Sequence, residues 1–217
     1  MKILCIYGCG GLGREIADLA YRLNKWEQIV FVDDNIVSRM VNEVKVYMLE
    51  EVLEYFDNND LEFIVSNGEP CIRKLLYDKL RHRNLKCTNV IDPQFTLSRF
   101  SSISEGTIIH TGAVITCNVQ IGLGCLINKH VVIGHDVTIG DFCVLSPNAT
   151  IGGNVNIGNT CYIGSGAIIR NGITIGENSI IGMGAVVLKD VAPNSVMVGN
   201  PAKFLRENVD KRVFKSQ

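Results

Sequence analysis

Residues 131–142 read VVIGHDVTIGDF, and within them His135 and Asp136 stand side by side. An imidazole, with an unperturbed pKa of about 6.5, can accept a proton at neutral pH, and an adjacent carboxylate stabilises the imidazolium that forms. The pair is a candidate general base with its partner. Eighteen residues later, three repeats on in the pattern described below, comes Gly153, flanked by Gly152. A bulky polar pair facing that bare backbone leaves a notch, in which the Gly153 N–H is a candidate donor to a developing oxyanion. The plain alternative is a histidine on a solvated turn. A second constellation is Gly8-Cys9-Gly10-Gly11-Leu12-Gly13, which matches GxGxxG. Such glycines let a backbone approach a phosphate, and the following helix supplies free N–H groups and positive potential. Asp33 and Asp34 follow at the end of a second strand, Asp33 at the distance where a carboxylate grips a ribose hydroxyl in dinucleotide enzymes. Three readings stay open for this turn: a dinucleotide site, a site for one nucleotide moiety, and a purely structural connection.

Two kinds of element must position these residues. From Ile91 to Val187 every sixth residue is aliphatic, without a slip of register, and the fifth position of each six is mostly small or apolar. Helical periodicity cannot produce a period of six; a short extended segment plus a tight corner can. First and fifth positions share strand parity and point inward, and glycine at the second position is expected to supply unusual corner angles. Cys125, Cys143 and Cys161 fall on one inward column and read as core filling. Residues 1–90 alternate instead. Strands are expected at 2–7, 28–34, 61–66 and near 88–91, with helices over 12–23, around 48–56 and around 70–83. That order predicts a small parallel sheet in an α/β domain. At some 90 residues it is about half of a doubly wound dinucleotide domain, which favours one nucleotide moiety over NAD. The formal charge of -1 gives no electrostatic case for nucleic acid or an anionic membrane. No apolar run is long enough to span a bilayer, the start is a poor signal peptide, and the eight cysteines read as reduced thiols of a cytoplasmic protein.

The hexads resemble the left-handed β-helix of the hexapeptide-repeat acyltransferases. Together with GCGGLG, VDD, IGHD and the late VGNPAK (198–203), they resemble more narrowly the sugar O- and N-acetyltransferases of that class. These include the sialic acid O-acetyltransferases and the UDP-4-amino-sugar N-acetyltransferases of the bacillosamine pathway. The resemblance implies a Rossmann-like nucleotide-sugar domain over 1–90 and a left-handed parallel β-helix over 91–217. It implies acetyl-CoA as acetyl donor, no metal, and homotrimers with the cofactor in the groove between neighbouring prisms. The activity implied is N-acetylation of a nucleotide-linked amino sugar in bacterial surface-glycan biosynthesis, with sialic acid O-acetylation or a non-catalytic nucleotide-sugar binder as alternatives. His135 matches the general base and Asp136 its carboxylate partner. Gly10, Gly11, Leu12, Asp33, Asp34 and Gly68 fall where the family holds the nucleotide sugar. Gly153 and Ser165 fall near acetyl-CoA, and Val144 replaces a cofactor-touching histidine nine residues after the base. Lys203, with Lys189 and Arg206, is a candidate for the cofactor's phosphates or an ordinary solvated cation. The γ-class carbonic anhydrases, which share the prism, need a histidine two coils before His130, and that position is Gln94.

Overall fold

The computed structural model describes residues 2–214. The run KILCIY forms β1 (Ile3–Tyr7), buried along its whole length. Continuous burial fits a central strand of a parallel sheet, where no polar alternation is needed. Around it lie β2 (Gln28–Val32), β3 (Met40–Val41), β4 (Val44–Tyr47) and β5 (Leu61–Val65), in the order β3-β4-β2-β1-β5. All neighbours are parallel except β3 with β4. Helix α1 (Gly11–Leu23) buries Ile16, Leu19 and Ala20 and ends on Asn24 in the left-handed conformation. Helices α2 (Leu49–Tyr55) and α3 (Pro70–Arg81) follow, α3 starting with proline in its first turn. The β3–β4 hairpin was not expected. Its two-residue turn places Asn42 and Glu43 at φ 45° and 65°, and glutamate is not a residue that announces such a turn.

From Val90 onward the chain winds as a left-handed β-helix of two-residue strands. Up to the Val186–Val187 strand, strands 18 residues apart pair in parallel, as Val114 does with Val132 and Val132 with Thr150. At the end the step shortens to 16, Ile180 pairing with Val196, and an antiparallel pair (Ser195–Val198 with Lys203–Glu207) closes the prism. Three sheets make the faces of a prism, and the expected first and fifth positions fill its core. The Cys125, Cys143 and Cys161 thiols lie in that core and donate to the Gly140, Gly158 and Gly176 carbonyls at 3.2, 3.1 and 3.2 Å. One expectation is corrected. The second-position glycines do not carry the unusual corner angle; the fourth position does, at every corner from Gly106 to Gly184, and Asp136 (φ 57°) is one of these residues. Second-position glycines are needed for stacking instead, since a Cβ on Gly134 would sit 2.6 Å from the Gly153 nitrogen.

The outward residues separate the faces. One face presents Val90, Ile108, Leu126 and Val144, which pack under Ile6, Ile16 and Leu19 of the α/β unit. We call it the covered face. Val144 points out of the prism, yet it is 2% exposed because it packs in one cluster with Ile6 and Ile16 of β1 and α1. A second face presents Val114, Val132, Thr150, Ile168 and Val186, with Val132 39% and Ile168 46% exposed: the apolar face. The third presents Ser102, Gln120, Thr138, Asn156 and Thr174: the polar face. Arg73 of α3 ties the two units together. Its buried guanidinium donates to the Val65 and Asn67 carbonyls (2.9 Å each) and across to the Gly124 carbonyl of the prism (2.8 Å). No helix among the described residues is long and apolar enough to cross a membrane.

Candidate active site

His135 and Asp136 sit on the edge between the apolar and polar faces, immediately after the Val132–Ile133 strand. The αL backbone at Asp136 favours Asp, Asn or Gly; nothing in the corner's backbone asks for a histidine. The imidazole Nδ1 meets Asp136 Oδ2 at 2.8 Å, and Asp136 Oδ1 accepts from Asn118 Nδ2 at 2.9 Å. These bonds from Asn118 and His135 hold the Asp136 carboxyl below the usual carboxylate range. With Nδ1–H directed at Asp136, the lone pair is on Nε2. The ring lies over Gly153, where a Cβ would come within 2.6 Å of Nε2, so the bare backbone there makes room for the histidine. Among the described residues the Gly153 N–H makes no hydrogen bond, although Asn171 Oδ1 stands one coil later beside Gly152, 2.4 Å from where a Cβ would be. On the next edge the equivalent N–H groups of Leu123 and Asp141 are each taken by a side chain one coil later, at 2.8 Å.

The glycine turn divides into two kinds of glycine. A Cβ on Gly13 would lie 2.1 Å from the Gly8 carbonyl oxygen, so Gly13 serves helix–strand contact. Gly10 and Gly11 would meet nothing closer than Arg14 at 4.0 Å. Their bareness serves no packing within the chain and leaves the start of α1 open to a ligand. Asp33 folds back on the turn, accepting from the Cys9 N–H at 3.2 Å and the Asn35 N–H at 3.0 Å. Asp34 accepts from the Tyr7 hydroxyl (2.8 Å) and pairs with Lys79 (2.9 Å). Burial, with the Asp34 carboxylate adding to it against Lys79, pushes the Tyr7 hydroxyl up to about 12.

The predicted residues fall into three groups. Gly11, Leu12 and Gly68 meet Asn128, Val144, Ser146 and Ser165 in a cleft of about 400 Å³ between α1 and the prism. This cleft runs along the edge between the covered and apolar faces. Val144 and Ser165, expected beside the cofactor, thus stand beside the predicted sugar-nucleotide residues. Gly10 adjoins the cleft at the head of α1, whereas Asp33 and Asp34 do not line it. His135, Asp136 and Gly153 form the second group, on the other edge of the apolar face. Lys203 belongs to a third, a cleft of about 470 Å³ at the end of the prism that it shares with Lys189, Pro201 and Phe204. Lys189 turns the same corner as His135 three coils later, between the Val186–Val187 strand and the Val191 bridge to Ile175. Sequence reasoning missed Asn118, Asn128, Ser146 and Arg73. The spacing of 18 that stacks Asn118 on Asp136 was there to be read; nothing marked Arg73.

A left-handed hexapeptide prism with a glycine-turn α/β unit on one face, a histidine edge and a cleft at the junction is the architecture of a hexapeptide-repeat transferase. Residues 3–80 match the PglD N-terminal domain family, and residues 118–153 and 154–189 match the bacterial transferase hexapeptide repeats. The acetyltransferase domain of PglB from Neisseria gonorrhoeae, solved also in complex with acetyl coenzyme A, is 30% identical with a TM-score of 0.89, covering 94% of this chain and 100% of that one. PerB from Caulobacter crescentus, solved in complex with CoA and GDP-perosamine, is 28% identical with a TM-score of 0.87, covering 95% and 98%. WeeI from Acinetobacter baumannii is 28% identical with a TM-score of 0.89, covering 94% and 100%. No curated protein matches the sequence. The chain belongs to the acetyl-CoA-dependent sugar acetyltransferases of the hexapeptide-repeat class.

Proposed function

We propose that the protein transfers the acetyl group of acetyl-CoA to the amino group of a nucleotide-linked sugar of the 4-amino-4,6-dideoxy type, with His135 as general base. The observation that carries this is the His135–Asp136 pair at 2.8 Å, poised over the bare backbone of Gly153. The sugar amine attacks the thioester carbonyl while Nε2 of His135 takes its proton. The Asp136 carboxylate stabilises the imidazolium, and the unbonded Gly153 N–H meets the oxyanion. As the tetrahedral intermediate collapses, the C–S bond breaks and the imidazolium returns the proton to the leaving thiolate, releasing CoA thiol. The cofactor follows the histidine edge past Gly153 toward Lys189 and Lys203, Lys189 lying two coils or roughly 10 Å beyond Gly153. Its phosphates meet those lysines and its adenine occupies the apolar end cleft. The nucleotide sugar enters at Gly10, Gly11, Leu12 and Gly68, with Asp33 and Asp34 at the nucleoside end. PerB, crystallised with CoA and GDP-perosamine, supports N-acetylation of a nucleotide sugar over O-acetylation of a free one.

The same reading requires a second copy of the chain. The sugar cleft and His135 lie on opposite edges of the apolar face, a full hexad or roughly 15–20 Å apart. One chain's cleft therefore cannot bring substrate to its own histidine. The apolar column between the two edges, with Val132 and Ile168 exposed and Val114 and Val186 half-buried, supplies the surface to bury, and the resulting assembly is a cyclic homotrimer. Each histidine edge then faces a neighbour's cleft, with Val144 and Ser165 beside the neighbour's cofactor. Acetyl-CoA as co-substrate and eight free cysteines fit a cytoplasmic enzyme.

The test is incubation with acetyl-CoA and a panel of UDP-, dTDP- and GDP-linked amino sugars, following thiol release. Release with at least one amino sugar is expected. Release only with free sialic acid would move the chemistry to O-acetylation, and release with none would reduce the protein to a binder. A second expected result separates the two ligands. Asp34→Ala raises the sugar-nucleotide KM by about tenfold, the worth of one charge-assisted hydrogen bond, and leaves the acetyl-CoA KM unchanged. Initial rates varied against each substrate check it; a joint rise of both constants would contradict the assignment.

A further inference from the structure

The Asp136 carboxylate uses only one of its oxygens on the histidine. The other is held by a residue from the preceding coil: Asn118 Nδ2 donates to Asp136 Oδ1 at 2.9 Å, while Oδ2 stays on His135 Nδ1 at 2.8 Å. We propose that Asn118 is a positioning residue for the acetyl transfer, fixing the Asp136 carboxylate so that one oxygen is committed to Nδ1 and the imidazole keeps Nε2 toward the reacting amine. This rests on His135 being the base. Asn118 and Asp136 occupy the same corner position one coil apart, both left-handed at φ 58° and 57°. The Asp136 N–H bonds to the Cys117 carbonyl at 2.9 Å, so backbone and side chain of the earlier corner both grip the carboxylate's residue. An ordinary αL asparagine needs no partner 18 residues away. Here the amide points at the one carboxylate of the histidine edge that touches an imidazole.

The bond does work because both partners are half in solvent. Left alone, an exposed Asp136 side chain, with 46% of its surface free, would rotate among several rotamers and share its time between water and the imidazole. A second anchor on Oδ1 removes most of that freedom. The groups facing the imidazole within the chain are few: Asp136 and Asn118 on its own side, Cys117 on the corner one coil before, and Gly153, without a side chain, one coil after. Among the described residues Asp136 is the hydrogen-bonded partner of Nδ1.

The experiment compares Asn118→Gly and Asn118→Asp with wild type, and His135→Ala in parallel, in the assembled protein. Glycine removes the donor and accepts φ 58° without strain, so the backbone is left as it is. Asn118→Gly should lower kcat about threefold to tenfold with both KM values near wild type. Its acidic limb in kcat/KM should move to lower pH, because a wandering carboxylate stabilises the imidazolium less. Asn118→Asp should also lower kcat, since two carboxylates cannot share the bond, but should move the acidic limb to higher pH through the added negative charge. A merely structural asparagine would give no opposite displacement. NMR titration of the His135 ring in the three proteins reads the same shifts without turnover. Wild-type kcat and an unmoved limb in Asn118→Gly, alongside an inactive His135→Ala, would overturn the role of Asn118 while leaving the base in place. Near wild-type turnover in His135→Ala would remove the base and Asn118's role with it.

Discussion

Arg73→Met should lose about 3–5 kcal/mol of stability, more than any surface substitution in the chain. The guanidinium is 1% exposed, and its hydrogen bonds run to carbonyl oxygens of Val65, Asn67, Gly124 and, more weakly, Cys125. Burial lowers its proton affinity to about 10, so it is still charged at neutral pH. Methionine fills much of the volume but takes the donor from the Val65, Asn67 and Gly124 carbonyls, each at a cost of roughly 1–3 kcal/mol, partly offset because no charge needs to be desolvated; the Cys125 carbonyl keeps the Ile108 N–H. Lysine cannot rescue the site, since one ammonium cannot reach acceptors on β5, the Asn67 loop and the prism together. Denaturant unfolding measures the loss. The sugar-nucleotide KM should rise as well, because Arg73 anchors the Asn67 carbonyl next to Gly68 at the cleft. A Met variant within about 0.5 kcal/mol of wild type would mean that the two units are joined by apolar contact alone.

His135→Ala should lower kcat by about 10²–10⁴-fold, the usual worth of a positioned base. Folding should be unaffected, since the side chain is 56% exposed and contributes nothing to the inward columns. Acetyl-CoA should still bind along the remaining coils. Asp136→Asn should cost less. Its carboxylate favours the imidazolium, so its loss lowers the proton affinity of the base and moves the acidic limb of kcat/KM to lower pH. Steady-state kinetics on the variants, with circular dichroism to confirm folding, check both. A folded His135→Ala with near wild-type turnover would return His135 to the status of a decorated turn. His110 would make a poor substitute, because burial and nearby Lys129 disfavour its charged form.

Much of this was legible because the hexad is a strict ruler. A period of six with inward first and fifth positions predicts the coils, the register of 18 and the stacking of His135 on Gly153. The αL rule was misassigned to the second-position glycines because glycine is common there; stacking against the next coil, as at Gly134 and Gly153, explains them instead. Val144 and Val132 look alike as outward valines. Only the docking of α1 and β1 buries the first and leaves the second exposed. Arg73 lies in CIRKLLYDKL, where an arginine reads as a solvated helix residue, and two of its four acceptors, Gly124 and Cys125, come from the distant prism. The division of the site between two edges followed from arithmetic, since Gly153 is 18 residues from His135 whereas Ser165 is 30.

The division of the site gives the most direct test. His135→Ala lacks the base but keeps the cleft. Gly11→Trp fills the cleft, at a position where the added Cβ meets only Arg14 at 4.0 Å, but keeps the histidine edge. Each variant alone should be nearly inactive. Dissociated, mixed in equal amounts and reassembled, they should recover about a quarter of wild-type thiol release, because one interface in four then joins an intact histidine edge to an intact neighbouring cleft. A mixture no more active than the two variants measured separately would contradict an active site shared between chains.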